Sequence, residues 1–110
     1  MHKTGEKEGV VMIRIAICDD EKEFCDSAER MLKLYMEEKA VPYQADVFNV
    51  PSELVDMTEK GTIYDIYLLD IYMPGVTGMS IATELRNRDI KSPIIFLTSS
   101  TDHALEAFGV

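Results

Sequence analysis

Apolar residues occur along this chain in short unbroken runs, and between the runs they recur at helical spacing. VVMIRIAIC, residues 10–18, is rich in β-branched side chains with Arg14 the one charged exception. Such a run suits a strand covered on both faces. Residues 22–39 predict a helix whose apolar positions Phe24, Ala28, Met31, Leu32 and Tyr35 follow one 3.6-residue stripe. Asp20 is a plausible N-cap for it, and Glu21 and Glu23 suit the positive end of the helix dipole. Pro42 ends this unit. YQADVF, residues 43–48, predicts a short alternating strand, and residues 52–60 a short helix closed by Gly61 in a left-handed cap. YDIYLLDI, residues 64–71, predicts a second buried strand. Residues 79–88 predict a helix with Ile81, Ala82 and Leu85 inward, IIFL at 94–97 a fourth strand, and residues 102–108 a last helix.

The order β-α-β-α-β-α-β-α with short links means parallel strands joined by right-handed crossovers. The expected fold class is α/β, a doubly wound parallel sheet in one domain, without repeats or linkers. Residues 1–11 read as a disordered extension or a misassigned start, because MIRIAICDDE from Met12 already completes a first strand.

Composition narrows the function classes. A 110-residue chain that is 46% hydrophobic and 28% charged has room for one small domain, and is no disordered tail, collagen or disulfide mini-protein. Twenty acidic against 11 basic residues leave a net charge of −9. A field of that sign repels phosphate backbones, so direct nucleic-acid binding by this segment is not expected. Cys18 and Cys25 fall in no CxxC spacing, and only His2 and His103 accompany them, so the expectation is two reduced thiols in a cytoplasmic protein rather than a zinc site. No apolar stretch approaches the roughly 20 residues of a membrane span.

Chemistry is expected at the carboxyl ends of the strands, where open parallel sheets bind ligands. The first strand ends in Asp19-Asp20-Glu21, the third in Asp70 and the fourth in Thr98-Ser99. Taken singly these have plain readings: Asp20 or Thr98 as a helix cap, Met73-Pro74-Gly75 as a turn. Taken together, carboxylates sharing one crevice raise one another's pKa unless a cation neutralises them. Oxygen ligands without Cys or His in reach favour Mg²⁺ or Mn²⁺. Small Ser99 and flexible Gly75 are expected to leave space beside Asp70. Tyr64, Tyr67 and Tyr35 read as packing residues, and Met31, Met57 and Met79 as fillers of core gaps.

IAICDDEKEF, LLDIYMPGVTG and PIIFLTSS, in this order, resemble the three signature segments of a response-regulator receiver domain. DHALEAFGV is similar to the LytTR-type branch of that family. The resemblance implies a flavodoxin-like receiver fold and two-component signal transduction, in which a sensor histidine kinase donates a phosphoryl group to Asp70 in a Mg²⁺-dependent reaction. It implies Asp20 as a direct metal ligand, Asp19 as a ligand through water, Asp70 and the Tyr72 backbone carbonyl as further ligands, and Thr98 as the switch hydroxyl. It does not imply an enzyme, since phosphatases using an aspartyl phosphate carry a DxD motif and Tyr72 occupies the second acidic place.

Two departures from the family pattern shape the expectation. The family's fifth strand carries a lysine that contacts the phosphoryl group, and Lys91, ahead of the fourth strand, lies at the wrong end to replace it. The domain is therefore expected to be incomplete, lacking the fifth strand and fifth helix, with residues 94–97 an apolar edge through which it self-associates. The alternative function is a phosphorylation-incompetent receiver-like module that binds a kinase or regulator.

Overall fold

A computed structural model describes residues 12–97. Four strands and three helices alternate: β1 (Ile13–Cys18), α1 (Lys22–Lys39), β2 (Tyr43–Phe48), α2 (Pro51–Glu59), β3 (Ile66–Asp70), α3 (Gly78–Asn87) and β4 (Ile94–Leu97). The strands form one sheet in the order β2-β1-β3-β4, and every pairing is parallel. This is the expected doubly wound topology, with the order reversing between β1 and β3. The helix expected at 102–108, Thr98, Ser99, His103 and the extension at 1–11 lie outside the described residues.

Period-two alternation sends the strand side chains to two cores. Ala16, Cys18, Tyr67 and Leu69 pack with Leu54 of α2 and Ile81 and Leu85 of α3. Ile15, Ile17 and Leu68 pack on the other face under Cys25 and Met36 of α1. Buried on both faces, β1 and β3 need the nearly continuous apolar runs seen in the sequence.

The stripe expected on α1 is displaced. Cys25 and Met36 are buried and Ala28 and Leu32 pack beside them, whereas Phe24, Met31 and Tyr35 are 41%, 72% and 58% exposed. The apolar arc is wider than one contact face, and the sheet takes its other edge. Met31 and Met79 are therefore not core fillers, and Tyr35 carries Lys39 over its ring at 5.5 Å instead of packing inside. Tyr64 and Tyr67 are buried as expected, edge-on to each other.

β3 begins later than expected, and the residues just ahead of it are tied to β1 and β2 by one backbone bond and two side-chain bonds. The Asp65 backbone N–H donates to the Arg14 carbonyl (2.8 Å), the Arg14 N–H donates to Asp65 Oδ2 (2.8 Å), and the Tyr64 hydroxyl donates to Asp46 Oδ2 (2.7 Å). Gly61, with φ of +96°, closes α2 as foreseen: Gly61 N–H donates to the Thr58 carbonyl and Thr62 N–H to that of Met57. Ala40 does the same work for α1 at φ of 56°, its own N–H donating to the Glu37 carbonyl and that of Val41 to Met36. A left-handed conformation costs an L-residue roughly 1–2 kcal/mol. Ala40→Gly is accordingly expected to raise stability by about 0.5–1 kcal/mol after the greater chain entropy of glycine is offset; an unchanged or lower midpoint in urea unfolding contradicts this.

Candidate functional site

The parallel register brings the acidic residues together. Cys18 pairs with Leu69, so the next residue on each chain, Asp19 and Asp70, emerges side by side at the carboxyl end of the sheet. Asp19 keeps the strand geometry one step further, its N–H donating to the Phe48 carbonyl at 3.1 Å. Its Oδ1 accepts from the Glu21 N–H at 2.9 Å, which turns the chain into α1. Glu21, not Asp20, is the N-cap residue, and its side chain caps nothing. The plain reading of Asp20 as a cap is thus not realised. Asp20 is exposed and joins the cluster: one carboxylate oxygen from each of Asp19, Asp20 and Asp70 lies within 4.8 Å of the others.

Asp19 and Asp70 are buried, and that dominates their acid–base behaviour. Burial pushes the Asp19 carboxyl up to about 6, with the Asp70 and Asp20 charges adding to it against the Glu21 N–H. Burial also raises Asp70, helped by the Asp20 charge and opposed by the Tyr72 N–H, which donates to Asp70 Oδ1 at 3.4 Å. Asp70 Oδ2 is buried and accepts no hydrogen bond from any described residue. Three crowded carboxylates with one buried oxygen left over are a donor set for a hard divalent cation, and among the described residues no Cys or His belongs to the cluster. The residues present therefore fit Mg²⁺. The two thiols stay protonated, burial pushing Cys18 up to about 12 and Cys25 to about 11.

The far wall is the β3–α3 turn. Gly75 has φ of +79°, but a Cβ there meets nothing within 4 Å, so its role is turn conformation and not clearance beside Asp70. Gly78 is the close approach that sequence reasoning missed: a Cβ there would lie 2.2 Å from the Asp70 carbonyl oxygen and 3.1 Å from Ile71 Cα. Its presence in the quoted segment LLDIYMPGVTG was the available signal. Thr77 caps α3 through a reciprocal pair, Ser80 N–H to Thr77 Oγ1 and Thr77 N–H to Ser80 Oγ, both 3.1 Å. Tyr72 is half-exposed at the rim. Lys91 pairs with Asp89 (3.7 Å) ahead of β4, at the opposite end of the sheet, and Lys22 donates to Asp26 (3.2 Å). No helix among the described residues is long and apolar enough to cross a membrane.

Comparison with known proteins agrees with this geometry. The family described as the response regulator receiver domain matches residues 15–109. The transcriptional regulatory protein PcoR of Escherichia coli is 34% identical over 88 residues, which cover 80% of this chain and 36% of that protein. The positive alginate biosynthesis regulatory protein of Pseudomonas aeruginosa is 48% identical over 46 residues, 42% of this chain and 18% of that one. Matches to these relatives thus span well under half of their length. Among solved structures, the response regulator TrrA of Thermotoga maritima in complex with Mg²⁺-BeF superimposes with a TM-score of 0.61 at 30% identity, covering 86% of this chain and 76% of that one. A Francisella receiver domain gives 0.58 at 23% identity, over 88% and 76%.

Proposed function

This chain belongs to the response-regulator receiver family, and on that premise we propose that Asp70 accepts a phosphoryl group from the phosphohistidine of a sensor histidine kinase. The observation that carries the reading is the convergence of Asp19, Asp20 and Asp70, with Asp70 Oδ2 buried and given no hydrogen bond by any described residue. In the transfer, an Asp70 carboxylate oxygen bonds to phosphorus while the phosphorus–nitrogen bond breaks and its electron pair returns to the imidazole. Such a transfer asks the protein for positioning and charge neutralisation. Asp20 would hold Mg²⁺ directly and Asp19 through water, with Asp70 and the Tyr72 carbonyl completing the set. When bound, the ion offsets the repulsion between the carboxylate and the incoming phosphoryl oxygens.

Thr98, the residue after β4, would be the switch hydroxyl; the Ile71 N–H donating to the Leu97 carbonyl at 3.1 Å, which ties the end of β4 to the end of β3, supports this reading. The C-terminal DHALEAFGV supports a place in the LytTR-type branch. The whole is a cytoplasmic signalling module rather than an enzyme.

Incubation with a small phosphodonor and Mg²⁺ is expected to add the mass of one phosphoryl group, lost in Asp70→Asn. No gain in the wild-type protein by intact-mass measurement rejects phosphoacceptance and favours the binding-only alternative. Tyr72→Ala is expected to shorten the lifetime of the phosphorylated form by opening the rim to water; an equal or longer lifetime removes that role.

A further inference from the structure

The carbonyl of Asp19 is held from two sides by residues that no part of the acidic cluster explains. Cys25, in the first turns of α1, donates its S–H to this oxygen at 3.2 Å. Asn49, just past β2, donates from Nδ2 to the same oxygen and also to Cys25 Sγ, both at 3.3 Å. The three groups close a triangle of hydrogen bonds. The oxygen they hold belongs to the peptide joining Asp19 to Asp20, so the triangle fixes the plane of that peptide. That plane sets the direction in which the Asp20 side chain leaves the backbone. Among the described residues no hydrogen bond holds the Asp20 carboxylate: it is exposed and caps no helix.

We propose that Cys25 and Asn49 are positioning residues for the divalent-cation site, aiming Asp20 by locking the Asp19–Asp20 peptide from α1 and from the end of β2. The inference rests on the Mg²⁺ reading of the cluster. Neither residue touches the ion; each acts through one carbonyl oxygen. Residues that support metal ligands from behind commonly change affinity by about 10–100-fold when removed. Because both act on one atom, their effects are expected to overlap and not add.

The test is Mn²⁺ titration of the full chain followed by the electron paramagnetic resonance of the free ion, beside urea unfolding of the metal-free protein. Asn49→Ala and Cys25→Ala are each expected to weaken Mn²⁺ binding about tenfold, with the double variant little weaker than either. Cys25→Ser, which keeps a donor, is expected to bind within about threefold of wild type. Asn49 is exposed at the surface, so Asn49→Ala, which loses only its two part-buried hydrogen bonds, should lower the metal-free urea midpoint far less than it weakens Mn²⁺ binding, and it carries the test even if Cys25→Ala folds poorly. Wild-type affinity in Asn49→Ala overturns the proposal, as does a loss of affinity matched by an equal loss of metal-free stability. Wild-type protein that binds Mn²⁺ no better than Asp70→Asn overturns the metal reading itself, a result distinct from the first two.

Discussion

Gly78→Ala is expected to destabilise the protein by about 3 kcal/mol, at the upper end of the range for inserting atoms into a packed site, and to weaken divalent-cation binding by about tenfold or more. The added Cβ would lie 2.2 Å from the Asp70 carbonyl oxygen and 2.9 Å from its carbonyl carbon. Both are backbone atoms, so no side chain can swing aside. Relief requires either that α3 withdraw from the tip of β3 or that residues 70–71 shift. The first breaks the Gly78 N–H bond to the Ile71 carbonyl at 3.2 Å and loosens Ile81 and Leu85 in the core. The second moves Asp70 within the cluster. Gly75→Ala is the control, because its methyl group meets nothing and only the positive φ resists it, at about 1–2 kcal/mol. Urea unfolding and Mn²⁺ titration of the two variants separate collision from backbone strain. A Gly78→Ala protein with wild-type midpoint and affinity contradicts the close approach.

What could be read from the sequence, and what could not, follows from the reach of each signal. The ends of α1, β2 and β4 are placed at the expected residues because Pro42, Pro93 and the change of period are local marks. The acidic cluster was legible for a topological reason: once the strands are parallel, every carboxyl end lies on one rim, and Asp19, Asp20 and Asp70 are last in their runs. The face of α1 was not legible. Phe24, Met31 and Tyr35 share a helical stripe as convincingly as Cys25, Ala28, Leu32 and Met36, and only the position of the sheet decides between them. Tyr64 reads as strand because it is aromatic and follows Ile63, yet its hydroxyl's bond to Asp46, 18 residues away, holds it outside the ladder. Asn49 and Cys25 are farther still from legibility, since their common target is a backbone oxygen and backbone atoms leave no trace in residue type.

Metal-free protein is expected to lose about 2–3 kcal/mol of stability as the pH rises from about 4 to 7, the free energy equivalent of the Asp19 displacement. An unfolded Asp titrates near 3.8, whereas burial and the neighbouring charges push Asp19 in the folded state up to about 6. Between those values the folded protein binds the extra proton, so this contribution is complete below about 3.8 and is lost as the pH climbs through about 6. Asp70, also raised, acts in the same direction. A divalent cation replaces the missing protons as the neutralising charge, so saturating Mg²⁺ should restore stability at pH 7 and add little at pH 4. Asp19→Asn, neutral in both states, should remove Asp19's share of the slope, match wild type near pH 4, and gain on it progressively until the gain is complete above about pH 6. Urea unfolding at several pH values, with chelator and with Mg²⁺, checks each arm. Metal-free stability that rises between pH 4 and 7, or a Mg²⁺ effect as large at pH 4 as at pH 7, is incompatible with repelling carboxylates that share one buried crevice.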